Sequence, residues 1–198
     1  MIDLLRCPRE HEETWLVAAF TRMDGRFVLE GTLGCPICSA SYEITAGVAR
    51  FGGDVSDAFA PVVSADSVMR TAALLNLMRP GSLAVLCGSE ANAAEDLSEL
   101  TQSRVIALNP ASNIEDTERV ATVATLDRIP LASSSVDGIA IGDCQSLIGD
   151  AARILRPGGR IVASVTASFP PGFREIARDD QSVVAESIGP LIGIQRSS

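Results

Sequence analysis

Between Leu83 and Asn109 the chain reads as an apolar run (Leu83-Ala-Val-Leu-Cys87), a turn at Gly88, an amphipathic stretch over about 91–101 and a second apolar run, Val105-Ile-Ala-Leu108, ending at Asn109. Unbroken apolar runs of this length suit strands buried on both faces of a parallel sheet, and the stretch between them suits a crossover helix. The alternation continues: strands are expected at about 120–124, 136–142 and 160–166, with a helix at about 145–155. The order predicts a doubly wound α/β sheet. Upstream, Val68, Ala72, Leu75 and Met78 recur near helical period, which predicts a helix over 66–78 stopped by Pro80-Gly81. Downstream, a short helix is expected at 172–179, followed by two β segments, Val183–Ser187 and Leu191–Arg196.

The first fifty residues carry a different pattern. Trp15 to Glu30 alternates at strand period around Met23-Asp24-Gly25-Arg26, a hairpin with Asp-Gly at its turn, and the β pattern continues to Phe51. Phe51-Gly52-Gly53 and the acidic, Pro-containing segment after it mark a boundary. Three parts are expected: a β module over 1–52, a linker and first helix over 53–80, and an α/β domain over 81–198.

Composition narrows the partners. Aromatics make up 4% of the 198 residues against 46% hydrophobic, so the core is built from Ala, Val, Leu and Ile. All 16 basic residues are arginine and the net charge is −9, spread over both halves, which argues against a broad nucleic-acid footprint. No apolar run reaches the roughly 18 residues of a membrane span, and Met1-Ile2-Asp3 starts no signal peptide. A soluble, cytoplasmic protein is expected.

Three of the five cysteines cluster in the β module. Cys35-Pro-Ile-Cys38 has knuckle spacing, in which a tight turn lets two thiolates face one tetrahedral ion, and Cys7-Pro-Arg-Glu-His11 supplies the other half. Cys7, His11, Cys35 and Cys38 form a candidate structural zinc set; reduced cysteines in a module that folds without metal are the alternative. Cys87 and Cys144 read as small buried residues, since free cysteine is among the most buried types, although Cys144 would be a nucleophile with a base beside it.

Leu4-Leu5, Cys7-Pro8, Cys35-x-x-Cys38, Tyr42-x-Ile44 and Gly47-Val48 resemble the small zinc-ribbon family that activates tRNA and translation-factor methyltransferases. Ile129-Pro-Leu-Ala-Ser-Ser-Ser-Val-Asp137 and Leu155-Arg-Pro-Gly-Gly159 resemble late motifs of class I methyltransferases dependent on S-adenosylmethionine (SAM), of the type 11-like group. The fold this implies is α/β: a doubly wound, Rossmann-like methyltransferase sheet with a small N-terminal zinc-ribbon-like β module. It also implies a SAM site lined by Gly88, Ser89, Asn109 and Thr125, with Asp143 facing substrate. Three positions depart from the family: Ser89-Glu90 stands for the second glycine, Asn109 for the ribose-binding acid, and Thr125 for the acid that contacts adenine. Two functions follow. One is a degenerate methyltransferase-like binding or scaffold protein, contacting a protein partner or a second copy of itself through residues 1–50 and 66–78. The other is an active SAM-dependent methyltransferase acting on RNA, protein or a small molecule.

Overall fold

The computed structural model describes residues 2–52, 63–112, 114 and 117–189. The N-terminal alternation becomes an antiparallel meander. β1 (Val17–Asp24) pairs with β2 (Phe27–Gly34) about Gly25-Arg26, and β3 (Ser41–Thr45) with β4 (Val48–Phe51) about Ala46-Gly47. Ala46 (φ 50°) and Gly47 (φ 84°) are both left-handed, the backbone pair whose twist matches a two-residue hairpin.

The apolar runs are the parallel strands β5 (Leu83–Cys87), β6 (Arg104–Leu108), β7 (Val120–Thr125), β8 (Val136–Ile141) and β9 (Leu155–Ser164). A terminal hairpin of β10 (Phe173–Arg178) and β11 (Ser182–Ser187) completes one eleven-stranded sheet of order β1-β2-β3-β4-β7-β6-β5-β8-β9-β11-β10. β11 lies antiparallel between β9 and β10. The connections reverse direction between β5 and β8, the switch point where a doubly wound sheet opens its ligand crevice. β4 runs parallel to β7, with Ala49 opposite Val123 and Phe51 opposite Thr125, so the meander extends the sheet at the β7 edge.

One face is covered by α1 (Ala65–Leu75) and α2 (Ala94–Thr101), which bury Val68, Leu75 and Leu97 against Val105, Ala107 and Val120. On the other face α3 (Ile148–Ile154) covers part of the sheet. No helix connects β7 to β8; the N-terminal module supplies cover instead, packing Leu5, Leu33, Ile44 and Phe51 with Ile106, Val123, Ile129 and Leu131. Polar contacts reinforce this seam. The Glu13 carboxylate accepts from the Ser133 N–H (2.8 Å) and hydroxyl (2.6 Å), and the Arg128 guanidinium donates to the Pro8 carbonyl at 3.2 Å.

Two expectations are corrected. The helix expected at 172–179 is strand β10, because pairing with β11 satisfies its backbone along Phe173–Arg178, where an uncapped helix of two turns is marginal in water. The helix expected over 66–78 begins under a Ser64 cap and ends at Leu75, where Asn76 turns left-handed (φ 56°). That turn puts Leu77 inside and leaves Met78, expected on the buried face, 78% exposed. The β segment expected at 191–196 and most of the linker lie outside the described residues.

Candidate functional site

Two constellations of chemistry-bearing side chains emerge, one in the N-terminal module and one at the sheet's switch point. In the module, the Cys35-Pro-Ile-Cys38 turn is closed by Ser39 N–H to Cys35 O (3.1 Å) and Cys35 N–H to Ala40 O (2.8 Å). It points Cys35 and Cys38 toward Cys7. Cys7 Sγ stands 3.7 Å from Cys38 Sγ, Cys35 Sγ stands 3.4 Å from His11 Nε2, and the four ligand atoms all lie within 4.8 Å of one another. A tetrahedral zinc with bonds of about 2.3 Å to sulfur and about 2.0 Å to nitrogen separates its ligands by about 3.6–3.8 Å. The four side chains fit that ion.

The surroundings favour ligation. His11 Nδ1 lies 2.7 Å from the Glu12 carbonyl, which fixes that nitrogen as the N–H and leaves Nε2 as the free lone pair. Burial acts to raise the Cys35 thiol, but the backbone N–H groups of Cys38 and Ile37 outweigh it and hold the thiol at about 6. The thiolate a metal needs is thus prepared by the turn. The Tyr42 hydroxyl, 3.4 Å from Cys7 Sγ, supports the other side.

At the switch point the structure places the four residues expected to line a cofactor, with Asp143, in two bonded groups. Asn109 ends β6 with a left-handed backbone (φ 51°). Its Oδ1 accepts from Thr125 N–H at 2.7 Å and its Nδ2 donates to Thr125 O at 2.8 Å, a two-pronged clasp across the ends of β6 and β7. The Thr125 hydroxyl is spent on the Arg128 carbonyl at 2.7 Å. On the other side Asp143 Oδ1 accepts from the Ser89 N–H at 2.9 Å, and the space over Gly88 is filled: a Cβ built there would lie 1.9 Å from Asp143 Oδ1. Gly88 (φ 66°) thus gives the turn its left-handed backbone without opening an approach for a ligand.

SAM needs a free acceptor for its ribose and free backbone amides for its methionine end. Here Asn109, expected to meet the ribose, is bonded into the backbone, Thr125, expected to meet adenine, is no acid, and the Ser89 amide is taken by Asp143. The residues present do not fit the cofactor.

Sequence reasoning gave Glu90 no role of its own and did not bring Cys87 and Cys144 to the same edge. Burial and the negative charge of Asp143 raise the Glu90 carboxyl. The Cys87 thiol is raised by its hydrogen bond to Cys144, then by burial. No local signal links these two cysteines, since one ends β5 and the other lies in the turn after β8.

No protein-family model matches the chain, and no curated protein does. Solved structures of methyltransferases do match. The antibiotic-resistance methyltransferase Kmr is 10% identical over 69% of this chain and 98% of its own, with a TM-score of 0.44. Phosphoethanolamine N-methyltransferase 2 of Haemonchus contortus, with SAM, is 14% identical over 59% of this chain and 30% of its own, at 0.41. The geranyl diphosphate C-methyltransferase of Streptomyces coelicolor is 15% identical over 57% of this chain and 54% of its own, at 0.38. The chain spans about half the length, or less, of several of the solved methyltransferases it matches. The strand order, with its antiparallel penultimate strand, is that of a class I methyltransferase-like sheet, and a Cys/His cluster sits in the strands joined to its edge. No helix of the described residues is long and apolar enough to cross a membrane.

Proposed function

We propose that this chain is a methyltransferase-like protein that has given up SAM chemistry and acts as a binding or scaffold protein. The clasp of Asn109 on Thr125, with Asp143 over Gly88, carries this reading: binding would require breaking hydrogen bonds that the fold already makes. One zinc ion held by Cys7, His11, Cys35 and Cys38 locks the N-terminal module to the sheet. Four protein ligands leave no open position for water, so the ion is structural. Its thiolates require a reducing compartment such as the cytoplasm.

The contact surface is the module's outer edge. β1 is the terminal strand of the sheet and exposes Val17 (64%), Phe20 and Met23, with Trp15 beside it. The register shifts at Phe20–Met23 and the charges of Arg22 and Asp24 guard the far half of this edge, which leaves its Val17–Phe20 half open to pairing with another chain. The partner is a protein chain or a second copy of this one, and the charge of −9 argues against nucleic acid. α1 packs on α2, β8 and β9; Met69 on it and Met78 beyond its end are exposed.

Calorimetric titration of the purified protein with SAM and with S-adenosylhomocysteine tests the reading. No saturation is expected below the high-micromolar range, about two decades weaker than a working site, since each lost polar contact costs about 1–3 kcal/mol. Low-micromolar binding of either compound would overturn it in favour of an active methyltransferase.

A further inference from the structure

At the end of the sheet away from the switch point, the N-terminal module and strands β6 and β7 bound a cavity of about 300 Å³. Its wall comes from both parts of the chain: Leu5, Val28 and Ile44 from the module, Ile106 and Val123 from the parallel strands. Leu5, Ile44 and Ile106 are buried at its depth. At its rim the β1–β2 turn meets the segment that leads into β7, and there the largely exposed Arg26 guanidinium donates to Glu118 Oε1 at 3.1 Å. Small residues on the wall account for the space. Ala49 and Ala121 stand where larger side chains would fill it, and the β3–β4 turn holds Gly47 left-handed (φ 84°), a conformation that favours glycine. Protein interiors carry few voids larger than a water molecule, whereas small-molecule sites begin at about 300 Å³.

We propose that this cavity binds a small uncharged molecule, an apolar body carrying one hydroxyl or carbonyl group. The rim selects against ions. Arg26 and Glu118 neutralise each other, so a carboxylate brought to Arg26 also meets Glu118, and an amine brought to Glu118 also meets Arg26. An uncharged polar end finds a donor instead. Thr117 Oγ1 accepts from the N–H groups of Arg119 and Val120 at 3.2 and 3.0 Å, which leaves its hydroxyl proton for a ligand oxygen. Burial of the apolar body against the wall supplies the affinity. The site shares no residue with the SAM crevice or with the Cys/His cluster, so it is independent of the scaffold reading.

The test is calorimetric titration of the purified full chain with octanol, octanoate and octylamine. Octanol is expected to saturate a single site. Octanoate and octylamine should each bind at least about fivefold more weakly, the factor that a like charge about 4 Å away in water imposes. Glu118→Gln, a change at an exposed position, should bring octanoate to the affinity of octanol or tighter while octylamine stays weak. Ala121→Leu adds bulk to the cavity wall and should abolish octanol binding. Methyl NMR of the unmutated protein is independent of how the variants fold, and octanol should shift the methyl signals of Ile44, Ile106 and Val123. No saturation by octanol, equal affinity for all three ligands, unchanged octanol binding by a folded Ala121→Leu protein, or shifts confined to Val17 and Met23 on the exposed β1 edge would each overturn the proposal.

Discussion

Asn109 shows how one side chain can both preserve a fold and close its site. An asparagine accepts the left-handed backbone at the end of β6 more readily than most residues, and its amide offers a donor and an acceptor in the spacing that Thr125 presents. An aspartate offers only acceptors: one oxygen still meets the Thr125 N–H, while the other faces the Thr125 carbonyl. Asn109→Asp is therefore expected to lose about 1–3 kcal/mol of stability in urea denaturation without gaining SAM affinity, because Asp143 still stands over Gly88. Low-micromolar SAM binding by this variant would show that the crevice is closed by Asn109 alone. The sequence reveals that the acid is absent. It does not reveal the clasp, which depends on the register of two strands whose ends are 16 residues apart.

Elements were legible where packing and pattern agree. The parallel strands announce themselves as apolar runs, and β5 to β8 form close to their expected positions because burial on both faces leaves no other place for such residues, whereas β9 begins at Leu155, five residues before its expected start. Two ends were not legible. β10, Phe-Arg-Glu-Ile-Ala-Arg, carries residues that are at home in a helix, and only its partner strand decides its form. At the end of α1 the helical period nominates Met78 for the core, but the left-handed Asn76 shifts the phase so that Leu77 is buried and Met78 is not. Leu77→Ala should therefore cost about 2–5 kcal/mol, and Met78→Ala should fall within about 0.5 kcal/mol of the unmutated protein. Paired chemical denaturation curves check this, and equal losses at the two positions would restore the unbroken helix.

For the whole molecule the consequence of the candidate metal centre depends on where the module is attached. The Cys/His pattern is visible in the sequence at knuckle spacing; the attachment is not, because β4 and β7 are separated by some seventy residues and join only through tertiary pairing. Leu5 and Phe51 share a core with Val123, Ile129 and Leu131, and Glu13 is bonded across the seam to Ser133. If the four ligands hold zinc, its loss cannot loosen the first fifty residues alone: it withdraws cover from β6 and β7, whose apolar side chains on that face have no helix over them. Metal analysis should return about one zinc per chain, and a chelator should lower the thermal midpoint of a single cooperative transition. Hydrogen exchange should then accelerate in β7 together with β2 to β4, because strands that share one ladder and one core lose protection together. A protein that releases zinc while β7 keeps its protection would place the metal outside the cooperative core and make the module a passenger on an already complete sheet.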